Sequence, residues 1–197
     1  YLIPKNDKYF TEYSNTNNLV KVTNFSGSAG FSLILKKINY LFVDGRYTIQ
    51  AKKQSGHNFK ILEIPYIWPK DLPNLENLKI GFDPKLFTKK TLEVFFNKKN
   101  FKLKPVKKNL IDKVWKRKNK LNRAKFYTLP NNSVSNNFST KIKIIVSKLK
   151  KRKADFQFIT SSENNAWLLN IRGADTKYSP IPNSYALIDK NSNIKFF

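Results

Sequence analysis

The sequence predicts an α/β protein with two units, each a mixed sheet flanked by helices, the second of them incomplete. Three observations support this prediction. Strand-like and helix-like segments alternate along most of the 197 residues. The composition, 40% hydrophobic and 14% aromatic, lies in the range of globular proteins. A basic and then polar stretch interrupts the alternation after Trp115, as expected of a linker.

The first unit is predicted from a series of local signals. Two β-rich runs in residues 31–45 flank a Lys-Lys-Ile-Asn turn and predict a hairpin. Helix formers follow directly and end at Gly56, a common helix stop. Pro69 and Pro73 predict a loop. The remaining elements are a helix with Leu92, Phe95 and Phe96 on one face, and strands in "FKILEI", "KIGF" and "FKLKPV".

The change in composition also places the domain boundaries. We predict a first domain at residues 1–120, a linker at 121–137, and the first part of a second, similar domain at 138–197. Both ends are expected to lie inside a longer polypeptide, because the sequence begins at Tyr1 within a strand-like run and stops at Phe197 on another. The open edge of the last strand should then be covered by another copy or by the absent segment.

The second unit is predicted to begin with a helix and to alternate from there. A strand follows in "ADFQFITS", and Ser161 or Ser162 caps a short helix in which Trp167 is expected to be buried. "SYALIDKNSNIKFF" predicts a hairpin that turns near residues 189–192. The first helix has an apolar stripe at spacings of four, three and four, with its lysines mainly off the stripe: Phe138, Ile142, Ile145 and Leu149.

The net charge of +25 has two explanations. Lysine and arginine release counterions when they meet phosphates, so the charge is typical of a basic nucleic-acid-binding module. The alternative is the codon bias of an AT-rich genome, because Lys, Asn, Ile, Phe and Tyr, which have A- and T-rich codons, are all abundant. The lysines are also scattered along the chain. We favour codon bias and keep nucleic-acid binding as the alternative function.

Several classes of chemistry lack a local motif. No apolar run approaches the length of about 18 residues that a membrane-spanning helix needs. The chain has no cysteine, so it forms no disulfide and no thiolate nucleophile. His57 is the single histidine and is predicted to be a surface residue, since one histidine cannot build a metal site alone. The thirteen carboxylates are dispersed and form no predicted metal or acid–base pair.

Two short motifs in the first unit favour structural roles. The loop "SGSAG" contains Gly27 and Gly30 but lacks the lysine and serine or threonine of a phosphate-binding loop, so we expect a tight turn or a close backbone approach. In "VDGRY", Asp44 can cap the following helix and Gly45 can adopt a positive φ. Arg46 can recognise a carboxylate or pair with Asp44.

The stretch "NIRGADTKYSPIPNSY" is the strongest candidate for function. We expect Gly173 to break the preceding helix and to leave Arg172 at its end. Tyr178, Pro180 and Pro182 then make a stiff extended path that can form a wall or clamp. The alternative, a linker loop whose prolines only set its route, is equally consistent with the residues.

These motifs, taken together and in order, resemble a known family. "YLIPKNDKYFTEY", "VTNFSGSAGFSLI", "YLFVDGRYTIQAKKQ", "NLIDKVW" and "ENNAWLLNIRGADTKYSPIPNSYALI" look like successive landmarks of three-domain Xaa-Pro aminopeptidases, the aminopeptidase P group of the creatinase/prolidase superfamily. The resemblance covers essentially the whole chain. It implies a creatinase N-terminal-domain-like fold, followed by part of a second domain of the same type.

The resemblance also implies an activity and its location. Such enzymes are cytoplasmic, usually homodimeric, metal-dependent peptidases that release the N-terminal residue of a peptide with proline in second position. Two divalent metals, typically manganese, are held in a separate catalytic domain by two Asp, one His and two Glu. None of these ligands can be placed here, so no catalytic or metal residue is predicted. The 197 residues are expected to be inactive alone and not to interact with membranes, and nucleic-acid binding stays the less favoured alternative.

The family's landmarks carry over to two groups of positions. The loop around Arg172, Gly173, Asp175, Tyr178 and Pro180 resembles the stretch nearest the catalytic cleft, which implies a role in substrate access or domain docking. A second group resembles first-domain landmarks, for which fold maintenance and subunit contact are expected: Gly27, Gly30, Asp44, Gly45 and Arg46. Trp167 is predicted to be a structural residue of the second unit.

Overall fold

A computed structural model describes residues 1–5, 13, 18–97, 101–115, 125–176 and 178–197. The chain divides into two compact units. Residues 1–5, 18–97 and 101–115 lie in the first, and residues 13, 125–176 and 178–197 lie in the second. The predicted domain boundary at residue 120 and the first four residues of the predicted linker lie outside the described residues.

A four-stranded mixed sheet forms the centre of the first unit. Its strands lie in the order β1-β2-β3-β4. The β1–β2 and β2–β3 pairs are antiparallel, whereas β3 and β4 are parallel because α2 connects them. The bounds are β1 (Leu2–Pro4), β2 (Phe31–Ile34), β3 (Asn39–Asp44), β4 (Lys60–Ile64), α1 (Asn18–Thr23) and α2 (Thr48–Ser55).

A parallel pair of strands and two helices complete the first unit. β5 and β6 pair in parallel, and α3 connects them. Thr88 begins α3 as its cap, because the Thr88 side chain accepts a hydrogen bond from the Thr91 amide at 3.1 Å. The bounds are β5 (Lys79–Phe82), α3 (Lys89–Phe96), β6 (Lys102–Pro105) and α4 (Leu110–Val114).

The first sheet is buried on both faces. Leu41 and Val43 point to one face, where they pack with Leu19 of α1 and Ala51 of α2. The alternate residues of the same strands form the other face, which packs against β5 and α3. There the ring of Phe31 stacks on Phe42, with centroids 4.6 Å apart, and on Phe95 of α3, at 4.1 Å: Leu2, Leu33, Tyr40, Phe42, Leu62, Ile80, Phe82 and Phe95 share this cluster.

The second unit contains a three-stranded antiparallel sheet in the order β11-β10-β8. A separate short pair, β7 and β9, is also antiparallel. Ile142 and Val146 of α5 pack with Leu168 of α6 and Ile188 of β10 to form the core. The bounds are β7 (Tyr127–Thr128), α5 (Phe138–Lys151), β8 (Phe156–Ile159), α6 (Ser162–Leu168), β9 (Ile171–Arg172), β10 (Ala186–Asp189) and β11 (Ile194–Phe196).

The predicted architecture is confirmed at the level of elements. The 31–45 hairpin is the β2–β3 pair, and the predicted turn at residues 189–192 joins β10 to β11. The Asp189 carboxylate holds that turn, because it accepts hydrogen bonds from the amides of Asn191 and Asn193. The predicted linker includes β7, which pairs with β9. The domain boundaries themselves stay a prediction.

Two predictions about buried side chains were wrong. Phe138 is 51% exposed, and Val146 takes its place in the core, because the covered part of α5 runs only from Lys141 to Leu149. Trp167 is 62% exposed rather than buried. Its neighbours Asn165 and Leu168, three residues apart on α6, face the interior, so the side chain between them points outward.

Two predictions about glycines were also wrong. Gly173 does not end a helix, because α6 ends at Leu168 and Arg172 belongs to β9. The chain reverses instead at Asn170, whose φ is +54°. Gly45 begins a 3₁₀ turn and has no positive φ.

Candidate functional site

The candidate loop, residues 172–182, starts from a short strand pair. Ile171 and Arg172 of β9 pair with β7, and the Leu129 amide extends the pair by donating to the Asn170 carbonyl oxygen at 2.8 Å. Asn170 adopts left-handed backbone geometry, which asparagine tolerates better than most residues. The loop therefore begins at a fixed backbone position directly after α6.

The loop closes on itself at Gly173. The Gly173 amide donates to the Pro180 carbonyl oxygen at 3.1 Å. A Cβ atom at Gly173 would lie 2.8 Å from Cβ of Pro182 and 3.1 Å from its Cα, closer than real Cβ contacts allow. Because a proline ring cannot rotate away, this crossing requires glycine.

Two polar side chains stabilise the loop from within. The Asp175 carboxylate accepts a hydrogen bond from the Asn183 amide at 2.9 Å. The Thr176 hydroxyl, which is buried, donates to the Ser179 carbonyl oxygen. Such local side chain–backbone bonds replace the ladder that a strand would supply. These bonds give the described residues of the loop a defined conformation despite their lack of regular structure.

A buried polar cluster fixes the far end of the loop to α6. The Asn165 side-chain amide donates to the Ser184 carbonyl oxygen at 3.0 Å, and the Ser184 amide donates to the Ser162 hydroxyl at 3.2 Å. All three side chains are at most 1% exposed. Buried polar groups of this kind are costly unless they are paired, so the cluster specifies one position for the loop.

The Arg172 side chain contacts the carbonyl end of α6. Its Nη1 donates to the Ala166 carbonyl oxygen at 3.3 Å and to the Ile171 carbonyl oxygen at 2.8 Å. Cations are favourable near the last carbonyls of a helix, where the dipole is negative. This contact holds the half-buried arginine at the start of the loop.

Lys141 of α5 occupies the same helix end from the other side. Its Nζ donates to the Trp167 carbonyl oxygen and to Oδ1 of Asn170, both at 2.6 Å, and lies 4.2 Å from the centroid of the Trp167 ring. The residue is only 6% exposed. Burial, and to a lesser extent the charge of Arg172, lowers the pKa of Lys141 below its ordinary value.

Exposure separates the five predicted loop residues into two classes. Tyr178 is 86% exposed, and Pro180 is also exposed. Gly173 is buried, while Arg172 and Asp175 are half-buried and already bonded within the unit. Of these five residues, Tyr178 and Pro180 are therefore the most accessible to a partner that approaches the loop.

The first-unit motif forms a local ion pair. The Asp44 carboxylate accepts from the Arg46 amide at 3.0 Å and from the Arg46 guanidinium at 2.6 Å. The side-chain hydrogen bond from Arg46 lowers the pKa of Asp44. This confirms the predicted cap and shows the predicted Asp44–Arg46 pair. Arg46 remains 74% exposed, so the pair is a surface feature.

The two glycines of the "SGSAG" loop permit close approach, as predicted. A Cβ at Gly30 would lie 2.7 Å from the Phe42 carbonyl oxygen, and Gly30 has a φ of +151° that side chains rarely allow. A Cβ at Gly27 would lie 2.1 Å from the ring of Phe25, which is fully buried. The backbone at Gly30 therefore lies close to the backbone of β3.

Neither unit contains a candidate metal site within its described residues. In those residues no three His, Cys, Asp or Glu side chains are close enough to hold a metal ion. His57 is exposed, as predicted. No helix in the described ranges is long and apolar enough to span a bilayer.

Of the polar residues that position the loop, the sequence singled out only Ser162, and only as a candidate cap of α6. Nothing in a single sequence distinguishes the buried Ser162, Asn165 and Ser184 from surface residues of the same types. Lys141 was assigned to the solvated face with the other lysines of α5. Asn170 alone carries a usable signal, since asparagine just after a helix is a common left-handed terminator.

Comparison with known proteins gives two family matches in tandem. Models of the creatinase/prolidase N-terminal domain match residues 4–114 and, separately, residues 116–197. Aminopeptidase P1 of Lotus japonicus is 32% identical over 201 residues, which cover 97% of this chain and 30% of that protein. A probable Xaa-Pro aminopeptidase P of Laccaria bicolor is 32% identical over 209 residues, covering 100% of this chain and 32% of that protein.

One solved structure is similar over the entire chain. The X-prolyl aminopeptidase of Caenorhabditis elegans, described as a cytosolic enzyme with a di-nuclear active site, superposes with a TM-score of 0.82 at 26% identity. The match covers 100% of this chain and 34% of that one. The chain thus spans about a third of the length of the relatives that it matches.

Proposed function

The chain belongs to the creatinase/prolidase N-terminal domain family, and we propose that it is the non-catalytic N-terminal portion of a metal-dependent Xaa-Pro aminopeptidase. The observation that carries the proposal is the tandem of two N-terminal-domain matches. The superposition of the entire chain on about a third of an X-prolyl aminopeptidase supports it. In this proposal the whole enzyme releases the first residue of peptides that have proline in second position.

The chemistry belongs, in this proposal, to a catalytic part outside the 197 residues. The described residues do not fit a two-metal site, because they bring no group of metal-ligating side chains together. We therefore assign them no catalytic step. The two divalent metals, which we expect to be manganese, and the attacking water are placed in the separate catalytic domain.

We assign this portion two roles. The 172–182 loop shapes substrate access or docks against the catalytic part, with Tyr178 and Pro180 as its contact residues. Support comes from their exposure on a loop that buried hydrogen bonds hold in one conformation. The motif from Asp44 to Arg46 supports the fold of the first unit and contributes to a subunit contact in a cytoplasmic homodimer.

A peptidase assay tests whether the catalytic residues lie outside the 197-residue chain. The purified 197-residue chain and the full-length protein are each incubated with an Xaa-Pro-Xaa peptide and Mn²⁺. We expect release of the first residue by the full-length protein and none by the 197-residue chain. Metal-dependent release by the shorter chain would refute the placement of the chemistry, and an inactive full-length protein would refute the proposed activity.

A further inference from the structure

Two cationic side chains meet at the carbonyl end of α6. Nη1 of Arg172 donates to the Ala166 carbonyl oxygen at 3.3 Å, and Nζ of Lys141 donates to the Trp167 carbonyl oxygen at 2.6 Å. The acceptors belong to adjacent residues, so the two positive charges are neighbours. Burial first, and then the charge of Arg172, lowers the pKa of Lys141. Two like charges this close repel each other, and an anion beside them removes that repulsion.

Neither cation belongs to an ion pair within the described residues. The ion pairs of the described residues join other side chains. In the second unit Asp155 pairs with Lys190, and Asp189 holds the turn between β10 and β11. A buried or half-buried cation without a counter-charge is unfavourable, so the end of α6 favours the binding of an anion.

The Arg172 guanidinium keeps one pair of donors available. Both of its side-chain hydrogen bonds use Nη1, and their acceptors are the carbonyl oxygens of Ala166 and Ile171. Among the described residues, Nε and Nη2 of Arg172 have no acceptor. Both nitrogens are accessible to solvent, since the buried side-chain atoms without a partner in the described ranges belong to other residues. A ligand can therefore reach this pair.

Arg46 shows which ligand such a pair of donors binds. Its Nε donates to Oδ1 of Asp44 at 3.1 Å, and its Nη2 donates to Oδ2 at 2.6 Å. Nε–H and Nη2–H lie on the same side of a planar guanidinium, where their spacing matches the two oxygens of a carboxylate. The same pair in Arg172 is thus suited to a carboxylate, and within the described residues it holds none.

The backbone and side chain of Arg172 are both held in place. Arg172 lies directly opposite Tyr127 in the pair of β7 and β9, and opposite residues project from the same face of a strand pair. Tyr127 is 57% exposed, so an aromatic side chain adjoins the guanidinium and offers apolar contact to a bound peptide. The two Nη1 hydrogen bonds fix the guanidinium before a ligand arrives, which lowers the entropic cost of binding.

We propose that Nε and Nη2 of Arg172 bind a carboxylate of the substrate peptide on the carboxyl side of its proline. Lys141, which is only 6% exposed, adds positive charge without contacting the ligand. This inference rests on the proposed function, in which the 172–182 loop shapes substrate access. Peptides carry carboxylates as acidic side chains and at the C-terminus, and the C-terminus always lies beyond the proline.

Two pairs of peptides test the inference and distinguish these two sources. Xaa-Pro-Glu amide and Xaa-Pro-Gln amide differ in one side-chain carboxylate, whereas Xaa-Pro-Ala and its amide differ in the terminal one. Hydrolysis is measured with the full-length protein, with Arg172→Lys and with Arg152→Lys. Lysine keeps the charge near the carbonyl end of α6 but lacks the paired donors. Arg152 is the matched control, because it is an exposed arginine directly after α5.

We expect kcat/KM to be at least about tenfold higher for the carboxylate member of one pair, since charge-assisted bidentate hydrogen bonds are strong. The pair that shows this preference identifies the source of the carboxylate. The preference should fall to near unity in Arg172→Lys and should persist in Arg152→Lys. No preference in the native enzyme would overturn the inference. An equal loss of activity with all four peptides in Arg172→Lys, with the preference retained, would also overturn it, because Arg172 would then act only through the fold.

Protection from phenylglyoxal, which modifies arginine, gives a result that requires neither hydrolysis nor a variant. The native full-length protein is treated without metal, and mass spectrometry follows modification of Arg172 and Arg152. At ten times its dissociation constant, the carboxylate peptide should slow modification of Arg172 by about tenfold and leave Arg152 unchanged. Equal protection of Arg172 by the matched uncharged peptide at the same concentration would overturn the inference. A protein that shows selective protection but cleaves no Xaa-Pro peptide would refute the proposed function and leave the carboxylate site standing.

Discussion

Replacement of Lys141 by methionine tests how the candidate loop is held in place. Methionine keeps most of the length and apolar volume of the lysine but has no donor. The change leaves the Trp167 carbonyl oxygen and the Asn170 side-chain oxygen without the two hydrogen bonds that they accept at 2.6 Å. Because Asn170 sets the chain reversal before β9, the loss should spread to the loop.

The expected change in the free energy of unfolding for Lys141→Met is the difference between two opposing contributions. Hydrogen bonds from a charged donor contribute about 1.5–3 kcal/mol each, so two of them set an upper limit of about 3–6 kcal/mol. Removal of a buried charge returns part of this, because Lys141 is only 6% exposed and its burial disfavours the charged form, which lowers its pKa. We expect the free energy of unfolding of the second unit to fall by about 1–2 kcal/mol.

Urea unfolding and hydrogen exchange measure the effect. Lys143→Met is the matched control, since Lys143 is an exposed lysine two residues along α5 and its loss should change stability by less than about 0.5 kcal/mol. Amide exchange should accelerate in peptides from α6 and the 172–182 loop of Lys141→Met only. If Lys141→Met is as stable as Lys143→Met and shows the same exchange, the proposed support of the loop is wrong.

The pH dependence of the free energy of unfolding provides a second test of Lys141. The folded-state pKa of Lys141 lies below its ordinary value of 10.5. Between those two pKa values the unfolded chain binds more protons than the folded chain, so the free energy of unfolding rises with pH in that window. The stability of the native protein should therefore increase relative to Lys141→Met as pH approaches 10.5. A relative decrease would show that Lys141 is not desolvated.

Three further predictions concern the first unit and the loop. Gly30→Ala should lower the free energy of unfolding by about 3 kcal/mol, because the new Cβ meets the Phe42 carbonyl oxygen at a disallowed φ. Gly45→Ala, whose Cβ meets only a movable carboxylate, should cost less than about 1 kcal/mol in the same urea titration. Tyr178→Ala should leave the thermal unfolding of the 197-residue chain within about 2 °C of the native value but should raise KM or lower kcat in the full-length enzyme, and unchanged kinetics would remove Tyr178 from the contact surface. Asp44 has a lowered pKa, so its stabilising contribution is complete above the ordinary carboxyl value of 3.8 and is lost as pH falls through the folded pKa. Asp44→Asn should accordingly be less stable at pH 7, by under about 1 kcal/mol because its arginine partner is exposed, and the difference should vanish at low pH.

Local signals were sufficient to predict most of the elements. The 31–45 hairpin and the final hairpin each combine β-rich runs with turn residues nearby, and α2 combines helix formers with a glycine at its end. Such features act over a few residues, so one sequence contains them completely. Asp44 is an example, because both its cap and its ion pair lie within two positions.

Side-chain burial was harder to predict, because it depends on what lies across the unit. Trp167 is apolar and lies between core residues in the sequence, yet α6 directs its side chain toward solvent. The ammonium group of Lys141, from α5, lies over its ring. Lys141 shows the reverse error, since a charged residue of the helix is among its most buried. Both outcomes depend on the angle between α5 and α6, which no periodicity within either helix specifies.

The same distinction determines what the candidate loop can do. Its conformation depends on Gly173 and on buried polar groups outside the loop, whereas Tyr178 and Pro180 are exposed candidate contact residues. Substitutions at the first kind of position should therefore change stability and activity together, since they move the whole loop. Substitutions at Tyr178 should change activity alone. A loop that only connected α6 to β10 would show neither effect on activity, so the pair of measurements separates a docking surface from a connection.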